Sequence, residues 1–92
     1  MSTNAPPLNW KVELAGDGTF LKATAVPSPS VSYEIFPIND AAIQARMAGP
    51  GYHLNRIIQQ GGGAFGFPLA TEAPDMETAK AVAQRDWDGI HG

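Results

Sequence analysis

The sequence predicts an α+β domain: a mainly antiparallel sheet of four or five strands packed by one C-terminal helix. Two observations carry this. Several runs of strand-forming residues are separated by Gly- and Pro-bearing turns, and the stretch from Ala73 to Ile90 combines a helix start signal, helical periodicity and a stop. One domain spans residues 8–92, with residues 1–7 a disordered lead-in ended by Pro6 and Pro7.

The first strand is the run from Leu8 to Leu14, whose alternation sets Leu8, Trp10, Val12 and Leu14 on one face and Asn9, Lys11 and Glu13 on the other. Ala15-Gly16-Asp17-Gly18 follows as a hairpin loop, because its glycines supply positive φ. A second strand fits Thr19 to Val26, with Leu21, Ala23 and Ala25 inward and Lys22 and Thr24 outward; its small inward residues leave room for Trp10 or Trp87. Pro27-Ser28-Pro29-Ser30 reads as an extended turn outside the ladder, since proline has no N–H to donate. The third strand, Val31 to Phe36, turns Val31, Tyr33 and Ile35 inward, and Pro37 either ends it or marks it as an edge.

Asn39 and Asp40 are good N-caps for a short helix at about 40–48, stopped by Gly49 and Pro50. Tyr52 to Gln59 and Ala64 to Leu69 form a second hairpin about Gly61-Gly62-Gly63, with Tyr52, Leu54 and Ile58 facing Phe65, Phe67 and Leu69. Pro68 marks the last strand as an edge. In the closing helix, Asp75 is the cap and Glu77 complements the helix dipole. Met76, Ala79, Ala83, Trp87 and Ile90 make one apolar stripe, leaving Glu77, Lys80, Gln84, Arg85 and Asp88 off it.

Composition excludes several functions. The chain has 92 residues, a net charge of -3 and no cysteine. It therefore has no disulfide framework, thiolate nucleophile or sulfur-ligated metal. Its six basic residues are scattered, which argues against a non-specific nucleic-acid binder. No window approaches the length of a membrane span, and the N-terminus lacks the pattern of a secretory signal, so a cytoplasmic protein is expected.

The chemistry-bearing residues are few. His53 and His91 lack metal-site spacing and read as solvent-exposed bystanders. Gly61 to Gly63 precede no helix and no lysine, so they read as a hairpin tip and not a phosphate loop. Serines 28, 30 and 32 have no His or Asp at a catalytic spacing. Glu72, Asp75, Glu77, Asp86 and Asp88 gather on or beside the last helix as capping and solvated groups, or as an acidic patch that meets a basic partner or mimics nucleic-acid charge. Phe36 and Ile57 point away from their strands' main apolar set, either thickening the core or marking a partner-facing patch.

The segment order resembles a group of small phage and prophage proteins of unknown function. The features are a Trp-bearing first strand with Leu8 and Trp10, Tyr33-x-Ile35, Tyr52-x-Leu54, Gly66-Phe67, and a Met76 to Trp87 helix similar to a "leeAKaaAqadw" ending. The insertion from Asn39 to Pro50 and the Ala73-Pro74 pair depart from that pattern. The resemblance implies a sheet covered by a C-terminal helix and encoded in a mobile element; it transfers no catalytic residue.

The functional expectation is a non-enzymatic accessory protein acting by protein–protein contact through the open sheet face or the acidic helix. No cofactor, metal ligand or catalytic residue is assigned, and the chain is a monomer or dimer. Phe36, Ile57, Lys11, Lys22 and Arg56 are the candidate partner-binding residues. The alternative is a nucleic-acid-binding module, which requires Lys11, Lys22 and Arg56 to converge on one face of the sheet. An enzyme is the third reading, and it requires Asp, Glu and His side chains to converge.

Overall fold

The computed structural model describes residues 7–38 and 51–91. Five strands, β1 (Lys11–Leu14), β2 (Phe20–Ser28), β3 (Val31–Pro37), β4 (Tyr52–Gln60) and β5 (Gly63–Ala73), are followed by α1 (Met76–His91). The strands form one antiparallel sheet in the order β1-β2-β3-β4-β5, a meander in which each strand pairs with its chain neighbour. The α+β architecture is the one the sequence predicts. The short helix expected at about 40–48 lies outside the described residues, as does nearly all of the lead-in.

Turn chemistry sets the registers. Gly61 and Gly62, at φ 60° and 84°, form the two-residue loop between the paired Gln60 and Gly63, a geometry that requires positive φ at both centres. In the first hairpin, Ala15 N–H donates to Thr19 O at 2.8 Å, Gly18 takes φ 88°, and Asp17 Oδ1 accepts from Thr19 N–H at 2.9 Å. Between β2 and β3, Ser28 Oγ accepts from Val31 N–H at 3.1 Å.

The inner face packs under α1. Cross-strand register puts Val12, Ala23, Ile35, Leu54 and Ala70 in one row, and Ala25, Tyr33, Arg56 and Phe67 in the next. Val31, Tyr33 and Ile35 are buried as expected. The core adds Ala79, Ala83 and Trp87 from α1, whose two alanines are fully buried, and Trp10 and Leu8 pack at its margin. Small residues on both layers let the helix lie close to the sheet.

Several expectations are corrected. β1 is shorter than the alternating run, and Val12 and Leu14 are 49% and 58% exposed because α1 packs on β4 and β5, at the other side of the sheet. Leu8 and Trp10 reach the core from outside β1, where Leu8 N–H donates to Gln84 Oε1 at 2.8 Å. Leu21 is also exposed, since Glu13 pairs with Lys22 and Leu14 with Phe20, leaving Leu21 as an extra residue at a bulge. The bulge brings Phe20 to the inner side, where its ring meets Tyr52 edge-on at 5.8 Å.

Pro27 lies inside β2, not in a turn beyond it, at an irregularity between Ala25 and Ser28 where no ladder N–H is demanded. Phe65 and Phe67 share the inner side with Ile58 and Arg56 yet stay largely exposed. Ile90 is exposed as well, so the helical stripe ends at Trp87.

Candidate functional site

Arg56 is the residue whose surroundings differ most from expectation. It follows Tyr52 and Leu54 in the inward alternation of β4, and the register sets it between Tyr33 and Phe67 under the helix. A cation there requires a counter-charge, and α1 supplies Asp86, one position before the buried Trp87. Arg56 Nη1 donates to Asp86 Oδ1 at 2.8 Å and Oδ2 at 3.1 Å, while Tyr33 O–H donates to Oδ2 at 2.7 Å. The guanidinium lies 5.5 Å from the Phe67 ring centroid, within cation–π range.

Burial, reinforced by the bond to Asp86, raises the Tyr33 phenol above its ordinary value, so the hydroxyl stays protonated and donating. Arg56 Nε is buried without a hydrogen-bond partner, which offsets part of the gain. With three donor contacts already on its carboxylate, Asp86 is arranged as a tether between helix and sheet. Its assignment to a solvated acidic patch is corrected.

The remaining acidic residues divide among tasks. Asp75 Oδ1 accepts from Thr78 N–H at 2.7 Å, and this backbone contact holds its carboxyl below the usual value. Asp88 accepts from Gln84 Nε2 at 3.0 Å, so Gln84 links the N-terminal segment at Leu8 to the last helical turn. Among the described residues there is no group of three or more His, Asp or Glu side chains suited to hold a metal, and no helix is long and apolar enough to cross a membrane.

On the outer face, Lys11, Thr24, Glu34, Asn55 and Pro68 form a row across all five strands. Lys22 sits on the same face with Glu34 at 3.4 Å and Glu13 at 4.0 Å. Phe36 pairs with His53, and Ile57 lies between Ser32 and Gly66, where a Cβ on Gly66 would meet Ile57 Cδ1 at 3.6 Å. Phe36 and Ile57 are both half-buried. Four steps along β3 and one strand spacing separate them, so they stand about 14 Å apart.

Four of the five candidate partner-binding residues, Lys11, Lys22, Phe36 and Ile57, therefore share the outer face, and Arg56 lies on the opposite one. The convergence of three basic residues required for nucleic-acid binding is not met. Lys22 is moreover neutralised by two carboxylates.

A shallow depression of about 410 Å³ lies between the β2–β3 and β4–β5 turns, lined by Pro29, Ser30, Gln59, Gln60, Gly61 to Gly63 and Ala64. It holds no charged side chain, which leaves amide, hydroxyl and main-chain groups as its chemistry.

Tyr33 and Asp86 are the polar residues that sequence reasoning missed. The available signal was the period of β4: a strand with Tyr52, Leu54 and Ile58 inward also turns Arg56 inward. Compared with protein families, curated proteins and solved structures, the chain matches none.

Proposed function

We propose that this domain is a non-enzymatic accessory protein that acts by binding another protein through the outer face of its sheet. The observation that supports this is the placement of the packing elements among the described residues. Helix α1 and the Leu8–Trp10 segment pack on the inner face, while Phe36 and Ile57 stand on the outer face with Lys11, Glu13, Lys22 and Glu34 toward one side. Two apolar contacts with a charged margin of both signs suit a mixed protein surface better than a phosphate backbone. An origin in a phage or other mobile element, implied by the segment resemblance, belongs to the same proposal, as does action in the cytoplasm.

The test is capture from a lysate of the cell that encodes the protein, followed by titration of the purified partner. Phe36→Ser with Ile57→Ser is expected to weaken binding at least tenfold while the fold is retained, as such apolar contacts contribute roughly 1–3 kcal/mol each. Binding that survives both substitutions overturns the proposal. Salt-dependent binding of single-stranded nucleic acid at low salt favours the alternative.

A further inference from the structure

We propose that the outer edge of β1, which no other described strand pairs with, joins β1 of a second copy, antiparallel about a two-fold axis at Val12, to give a symmetric dimer with a continuous ten-stranded sheet. The sheet has two edges, and they differ. β5 carries Pro68 and two register irregularities, features that hinder further pairing. β1 is free of proline, and the extra residue of its one irregularity, Leu21, belongs to β2, so β1 itself stays regular from Lys11 to Leu14. Its Val12 and Leu14 are exposed on the inner side, beyond the cover of α1.

Charge selects the occupant and the register. Pairing about Val12 sets Val12 against its copy, Lys11 against the copy's Glu13, and Glu13 against the copy's Lys11. The same register brings Trp10 opposite the copy's Leu14 on the apolar side. Shifting by one pair in either direction sets Lys11 against Lys11 or Glu13 against Glu13. A half-step shift sets Val12 against a charged residue and mixes the two faces. Only the register about Val12 matches both charge and polarity, and a two-fold axis normal to the sheet keeps both copies of α1 on one side. This dimer uses the strand edge and does not depend on the proposed partner at Phe36 and Ile57.

The test is sedimentation equilibrium of the full chain and two single variants. Lys11→Glu sets Glu against Glu13 twice in a homodimer, and Glu13→Lys sets Lys against Lys11 twice. Each is expected to raise the dimer dissociation constant roughly tenfold to a hundredfold. An equimolar mixture of the two restores both opposite-charge pairs and is expected to recover dimer as a heterodimer. Both positions are exposed, and circular dichroism checks that each variant folds. A wild-type chain that stays monomeric up to several hundred micromolar overturns the proposal. So do single variants that dimerise like the wild type, or a mixture that fails to recover dimer.

Discussion

Replacing Asp86 by Ala removes three hydrogen-bond contacts in one step and leaves Arg56 without its counter-ion under the helix. A fully buried pair broken this way costs about 3–5 kcal/mol. Here the side chains of Arg56 and Asp86 are 25% and 20% exposed, so solvent screens part of the charge and the expected loss falls to about 2–3 kcal/mol. For a domain of this size, that lowers the melting temperature by roughly 8–24 °C. Thermal unfolding followed by tryptophan fluorescence measures it.

A double-mutant cycle with Arg56→Met separates the ion pair from the Tyr33 bond and is expected to give a coupling of about 1–2 kcal/mol. Asp86→Asn keeps an acceptor for Tyr33 without the charge and should fall between wild type and Asp86→Ala. A drop of less than 2 °C for Asp86→Ala, with no coupling to Arg56, would refute the tether.

Trp87→Ala empties the largest side-chain volume that α1 places in the core and is expected to cost about 3–5 kcal/mol by denaturant titration, whereas Ile90→Ser should change stability little. Asp75→Ala should lower the melting temperature by a few degrees at neutral pH. Because the Asp75 carboxyl is held below its ordinary value, its contribution is present above about pH 4 and lost as pH falls through the folded value; the mutant and wild-type melting curves therefore converge in acid. Tyr33 shifts the other way: its raised value stabilises the fold fully below about pH 10, and this is lost as pH rises toward the folded value. Tyr33→Phe should flatten the alkaline decline, and absorbance titration should lose an ionisation lying above the ordinary tyrosine range in that variant.

The parts of the fold legible in the sequence were those governed by local rules. Gly61-Gly62 demands a tight hairpin, Asp75 caps a helix, and Val31, Tyr33 and Ile35 alternate toward one face; each of these depends on a few adjacent residues. What was not legible depends on where a distant element lies. Val12 and Leu14 have a core-facing pattern, yet their exposure is set by the offset of α1 toward β4 and β5. One extra residue in β2 exchanges Leu21 for Phe20, and no periodicity encodes which residue bulges. Of the candidate site, the shared face of Phe36, Ile57, Lys11 and Lys22 follows from strand parity. The pairing of Arg56 with Asp86 joins residues 30 apart in sequence, so neither local pattern reveals it.

The meander order also has a kinetic consequence. Every strand pairs with the one beside it in the chain, so the β1–β2, β2–β3 and β4–β5 hairpins each close only a short turn, while pairing β3 with β4 closes the longer connection over residues 38–51. Docking of α1 is a different kind of event: the bond from Leu8 to Gln84 spans 76 residues, and its loop-closure entropy is met only after the intervening strands have shortened the path. The expected order is hairpin formation first and joining of the two ends of the chain last, so substitutions at the Leu8–Gln84 contact should speed unfolding and leave the folding rate nearly unchanged.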